Sequence, residues 1–263
     1  MMLVLAGVRA VHLACLMTLF GSAGFLLRLR ARVPELGIES SGLHRLRLTA
    51  AALVLISGLP GILHSPIEPV SAASLALAAL LCGAVLMRRE LAVALLAGLG
   101  LVLVALTSHA TAASPVHFAI IGAATDTLHL MCGGVWLGGL CVLAVLMAQR
   151  RAAPRLPAAV ALFGVWGMAA VALLALTGLL NATSIVLGNP GRASGLYLGV
   201  LGAKLVLVLA MILLALNNHF RQLPRLARAE DAAALKGNIA WELGLGAGVV
   251  TLASLLGLLP PTL

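Results

Sequence analysis

The stretch HFAIIGAATDTLHLMCGGVWLGGLCVLAVLM, from His117 to Met147, decides the fold class. It carries one formal charge, Asp126, and no proline. An apolar run of about 18 residues or more is long enough to cross a bilayer as a helix. Its apolar residues do not alternate with polar ones, as they would in a barrel strand. A helix also satisfies its own backbone polar groups in lipid, where no water is present to do so.

Comparable runs extend in both directions. The pattern predicts spans at about 4–27, 46–64, 71–87, 91–110, 117–147, 158–184, 195–218 and 239–259. The fifth is longer than one crossing needs, which predicts a tilt or an extension beyond the membrane. Composition agrees: 62% of the residues are hydrophobic, 10% are charged, and the mean hydropathy is +1.14. A soluble domain carries roughly 25% charged residues. The expected fold is therefore an all-α, polytopic membrane helical bundle of about eight transmembrane helices, a single integral membrane domain over 1–263. The N-terminal run lacks a basic flank and a small-x-small cleavage site, so it reads as the first span and not as a signal peptide.

The net charge of +9 would suit a nucleic-acid partner, but its placement excludes that reading. Of the 17 Lys and Arg residues, 14 fall in, or (Arg47) at the edge of, the connections after the first, third, fifth and seventh spans. The alternate connections hold only Arg192, while Arg9 and Lys204 lie within spans. By the positive-inside rule the arginine-rich connections are cytoplasmic, and both termini lie on the outer side. The partner of this surface is the lipid bilayer. Cys15, Cys82, Cys132 and Cys141 all sit in apolar runs and read as reduced thiols, not as a disulfide framework.

Within the first span stands Arg9-Ala-Val-His12-Leu-Ala-Cys15; within the fifth stands Asp126-Thr-Leu-His129-Leu-Met-Cys132. The shared pattern is charge-x-x-His-Leu-x-Cys, and Gly21 then corresponds to Gly138. Spans two and six match more weakly, through Ser57-Gly58-Leu59 and Thr177-Gly178-Leu179. These matches predict two repeats, 1–112 and 113–263. With four spans per repeat, the pseudo-two-fold axis runs along the membrane normal. His12 is then expected opposite His129, and Arg9 opposite Asp126.

Ionisable residues in a membrane core are costly and mark function by default. Arg9, His12, Asp126, His129 and Lys204 lie roughly 8–19 Å in from the outer helix ends, at ~1.5 Å per residue. Asp126 and His129 share a helix face. A carboxylate there can orient an imidazole whose other nitrogen binds a metal. Cys132 follows three residues later, and Trp136 one turn beyond it. His64, His109 and His117 lie near the outer surface, where an arriving ion would meet them. The simpler readings are interfacial side chains for those three, and a helix-tying ion pair of Asp126 with Arg9 or Lys204. His44 and His219 sit among arginines and read as topology or headgroup residues, and Glu242 as an anchor of the last helix. Met17, Met131, Met168 and Met211 weigh little, because methionine in packed helices is mostly filler.

The segment Asp126-Thr-Leu-His129 through Trp136-Leu-Gly-Gly-Leu140 resembles the signature of the copper resistance D (CopD) family of bacterial inner-membrane proteins. Ser108-His109-Ala110, Thr177-Gly178, the run from Tyr197 through Lys204 to Asn217-Asn218, Glu242 and Pro260-Pro261 are similar to other family segments, with His219 departing from the family's Arg. The resemblance covers about 105–260. It implies copper handling, Cu(I) or Cu(II), across or into the inner membrane from the periplasm. It also implies a small periplasmic copper-binding partner of the CopC type. The expected metal residues are His129, His12, Asp126, Cys132, Cys15, His109, His64 and His117, with Arg9, Lys204 and Trp136 pairing charge or packing. No nucleotide-binding motif accompanies them, and no enzymatic activity is expected. The alternative is a haem-b electron carrier of the di-haem cytochrome type, with His12 and His129 as axial ligands.

Overall fold

The computed structural model describes residues 1–33, 41–64, 69–107, 116–149, 156–188, 194–227 and 233–259. Eight long helices run through these residues, and no strand occurs among them. They are α1 (Met2–Arg32), α2 (Ser41–His64), α3 (Pro69–Leu86), α4 (Glu90–Leu106), α5 (Val116–Met147), α6 (Leu156–Gly188), α7 (Gly195–Asn217) and α9 (Ala233–Leu256). A π-helical turn (Asn218–Gln222) and a short helix α8 (Leu223–Ala227) follow α7. Six of the long helices are apolar and long enough to cross a membrane; α3 and α4 are shorter apolar helices. At 18 and 17 residues these two reach about 27 and 26 Å, close to the ~30 Å hydrocarbon thickness. The protein is a polytopic, all-helical membrane bundle.

Several helices outrun the expected spans. Arg28, Arg30 and Arg32 belong to the last turns of α1, and Arg45 and Arg47 to the first turns of α2. Carrying the helix past the apolar segment keeps the backbone bonded while the exposed guanidinium groups of Arg28, Arg30, Arg32 and Arg45 reach water or headgroups; Arg47 is buried instead. The 32 residues of α5 and the 33 of α6 likewise exceed one bilayer thickness. Between α3 and α4 the turn is tight. Arg88 adopts φ 55°, and the amides of Arg88 and Arg89 bond Val85 O and Ala84 O, which is a Schellman closure without glycine. The π turn has a local cause in Pro224, which has no N–H and crowds the preceding turn.

The central pair is α1 and α5. Around it α1 packs on α2, α4 and α9, and α5 packs on α6, α9 and α4. The partners of one central helix thus mirror those of the other. Outside, α3 bridges α2 and α4, while α7 leans on α9. Only Tyr197 and Met211 of α7 are buried. Its Leu205, Val206, Leu209 and Leu213 are exposed, as are Leu80, Leu91, Leu95 and Leu179 elsewhere. An apolar surface of this kind belongs against lipid tails.

Glycine lets the central pair meet. A Cβ on Gly138 would lie 2.6 Å from the carbonyl carbon of Gly21 and 2.7 Å from its Cα. A Cβ on Gly21 would run into the Gly134 carbonyl group. Small residues are what permit so close a crossing. Below this crossing, towards the arginine-rich end, Leu26, Leu29, Leu140, Leu143 and Leu146 form one core; above it Leu13, Leu16 and Leu19 belong to another.

Candidate functional site

Nine residues before the crossing, each central helix presents a histidine. His12 Nδ1 lies 2.8 Å from Ser57 Oγ on α2, and His129 Nδ1 lies 2.9 Å from Thr177 Oγ1 on α6. The two hydroxyls are engaged in the same way. Ser57 donates to Leu53 O at 2.6 Å, and Thr177 to Leu173 O at 2.6 Å. A hydroxyl has one proton to give. With that proton held by the carbonyl of the preceding turn, the oxygen accepts from Nδ1–H of the ring. Each imidazole is thereby fixed as the tautomer whose Nε2 carries the lone pair, the form that binds a metal. Gly178 makes room for this in the second half, since a Cβ there would sit 3.2 Å from His129 Cε1.

Around His129 the polar set is richer. Asn181, one turn beyond Thr177, donates to Asp126 Oδ1 at 2.6 Å. Asp126 also interacts electrostatically with Lys204 and Tyr197 of α7. A carboxylate and an ammonium in one region offset each other in a low-dielectric setting. Arg9 is directed to the far end of α9, where its Nη1 donates to Gly257 O at 3.1 Å. Its guanidinium fills the space beside that glycine, where a Cβ would lie 2.9 Å from Cζ.

Cys15 is half-buried and Cys132 buried, and both are free thiols. Each follows its histidine by three residues, on one helical face. Each half therefore offers an imidazole and a thiol within a turn. Among the described residues, no three of His, Cys, Asp and Glu come together as a ready-made metal cluster. His12 is held towards α2 and His129 towards α6. Of the outer histidines, His109 lies outside the described residues, as do the side chains of His64 and His117.

Trp136 lies two turns beyond His129 and hydrogen-bonds Glu242, which is 2% exposed. Asn218, in the π turn, donates to Glu242 Oε1 at 2.6 Å and accepts from Asn238 at 2.6 Å. Sequence reasoning passed over this network, and over the hydroxyl partners Ser57 and Thr177. The second pair had a signal in the Ser-Gly-Leu and Thr-Gly-Leu match. In the first, Asn218 and Glu242 stood among the family-like segments, but nothing in the sequence paired them.

The fold and site define a polytopic membrane helical bundle with a histidine–hydroxyl pair in each half. Residues 157–256 match the sequence family described as Copper resistance protein D. The match runs from α6 to the last turn of α9, so it takes in Thr177, Asn181, Lys204 and Glu242 and leaves the Asp126–Leu140 segment outside. Over 166 residues the chain is 32% identical to "Inner membrane protein YebZ" of Escherichia coli (strain K12), a stretch covering 61% of this chain and 56% of that protein. The chain thus spans a little over half the length of that relative. No solved structure matches.

Proposed function

We propose that the protein carries copper ions across or into the bacterial inner membrane from the periplasmic side, in copper uptake, homeostasis or resistance. The observation that carries this reading is the pair of histidines at matching positions on the two central helices, each held through Nδ1 by a hydroxyl of the neighbouring helix. Imidazole nitrogen and the nearby cysteine sulfur are donors suited to copper. Two-donor stations, in place of a closed cage, suit a cargo that must leave as well as bind. The family match over α6–α9 supports copper as that cargo. The arginine distribution supports an arrangement with both termini in the periplasm, where a CopC-like protein would deliver the ion. The matching surroundings of α1 and α5 support an ancestral duplication of a four-helix unit. In this reading the chain performs no chemical conversion. Cellular copper measured for His12→Ala and His129→Ala variants at equal membrane abundance tests it. Both are expected to lose copper accumulation, and unchanged accumulation in both would overturn the reading.

A further inference from the structure

Two cavities open at the arginine-rich end, one in each half, and corresponding residues line them; the second is mostly apolar, with Asn218, His219 and Glu242 among its lining. The offset that carries His12 to His129 carries Leu26, in the first cavity, to Leu143, in the second. The offset that carries Ser57 to Thr177 carries His44 to Gly164 and Arg47 to Gly167, again from the first cavity to the second. Each cavity holds a carboxylate from the last long helix of its half: Glu90 at the start of α4, Glu242 in α9.

The two carboxylates are treated differently. Glu90 has its counter-charge built in. Arg47, only 5% exposed, places Nη1 2.5 Å from Glu90 Oε2, and Arg30 stands 3.6 Å from the other oxygen. In the second cavity the positions of Arg47 and His44 are glycines. Among the described residues, the donors to Glu242 there are neutral: Trp136 and Asn218. His219 lines the same cavity, and its buried Nδ1 has no hydrogen-bond partner among the described residues. That nitrogen would lie 3.4 Å from a Cβ at Gly164, so it borders the space the glycine leaves. Met168 lines the same cavity. A buried carboxylate is expected to be paired or to hold a cation.

We infer that the second cavity is a cation site, in which a metal ion bound by His219 and Glu242 takes the place that the Arg47 guanidinium fills in the first. An imidazole nitrogen and a carboxylate oxygen, with a thioether nearby, suit a copper ion. The identity of the ion rests on the proposed copper handling; the existence of a cation site does not. The cavity lies about 10 Å along α5 from His129, the rise of the seven residues from His129 to Trp136, and on the side towards the arginine-rich end. It is therefore a second station and not part of the histidine–hydroxyl pairs.

Trp136 reports on this cavity through its bond to Glu242. In full-length protein carrying Trp166→Phe and Trp241→Phe, Trp136 is the sole tryptophan. Titration with Cu(I), and separately with Cu(II) and Zn(II), should quench or shift its emission saturably. His219→Ala and Glu242→Gln should each weaken that response at least tenfold, while His129→Ala leaves it in place. Gly167→Arg, which supplies the guanidinium internally, should abolish it in a protein that still elutes as a folded species. A response to Zn(II) but not to copper would retain the cation site and remove copper as its ion. A response unchanged by both His219→Ala and Glu242→Gln, or no response to any of the three ions, would overturn the site. Loss of copper accumulation in His129→Ala cells would still stand in that case, so the two readings fail separately.

Discussion

Gly21 of α1 and Gly138 of α5 meet backbone to backbone, and they occupy matching positions in the two halves of the chain. Two matching residues that touch mark where the two halves pass each other. Nine residues upstream on each helix stand His12 and His129, so both histidines lie at one depth relative to this contact. The glycines therefore set the spacing of the proposed copper stations as well as the packing of the core. A side chain at Gly138 has no flexible neighbour to push aside, only the backbone of Gly21 and Ser22. We expect Gly138→Val to cost ~1–3 kcal/mol or more by overpacking. Thermal unfolding of the detergent-solubilised protein should show this as a lowered midpoint. An unchanged midpoint would mean the helices do not cross as described.

In the proposed copper reading, Ser57 and Thr177 act only through the rings they hold. Removing the hydroxyl in Ser57→Ala or Thr177→Val frees the imidazole to rotate and to change tautomer. Loss of such a supporting partner typically costs ~10–100-fold in metal affinity. Each variant is therefore expected to weaken copper binding while leaving membrane abundance intact, with Thr177→Ser restoring it. Equal affinity in Thr177→Val and the parent protein would remove the positioning role.

Glu90 neutralises a guanidinium that has little other support. Arg47 also donates from Nε to Ser22 Oγ at 3.0 Å, and its Nη2 has no hydrogen-bond partner among the described residues. Glu90→Gln leaves a buried cation beside the central crossing. Breaking a buried pair on one side costs ~3–5 kcal/mol, so this variant should fall in membrane abundance. The double variant Arg47→Met/Glu90→Gln should recover much of it, because the uncompensated charge is gone. Quantitative immunoblotting of membranes would show the recovery or its absence.

Much of this was legible in the sequence, for identifiable reasons. The helices could be read because a lipid-facing segment must be apolar throughout, and runs such as 117–147 admit no other structure. Their ends were less legible: Arg28, Arg30, Arg32, Arg45 and Arg47 read as loop residues, yet long side chains let the helix continue beneath them. His12 and His129 stood out because an ionisable ring in an apolar run is conspicuous. His219 and Glu242 did not, since a histidine among arginines and a glutamate near a helix start look like interfacial residues. Their placement around one cavity follows from the π turn before Pro224, which shifts the helical phase in a way no periodic pattern records. The internal counter-charge of Glu90 became visible only when Arg47 and Gly167 could be compared in place.

The ranking of Asp126 against His129 separates copper handling from mere helix tying. Asp126 accepts from Asn181 and shares its surroundings with Lys204, so its charge supports the region in which His129 would hold the ion. If copper is the cargo, His129→Ala removes a ligand and should abolish copper accumulation in a well-expressed protein. Asp126→Asn keeps a side chain of the same shape with an oxygen for Asn181, and should weaken accumulation less, by ~10–100-fold in affinity as for other ligand-supporting groups. If the cluster only ties α5 to α6 and α7, the order reverses. Asp126→Asn would then leave Lys204 without its counter-charge and lower the amount of protein in the membrane, while His129→Ala would cost no more than one hydrogen bond to Thr177, about 0.5–1.5 kcal/mol. Cellular copper and membrane abundance, measured side by side for the two variants, decide the order. Normal copper in abundant His129→Ala protein, together with scarce Asp126→Asn protein, would leave the histidine as a structural contact and end the case for a copper station on α5.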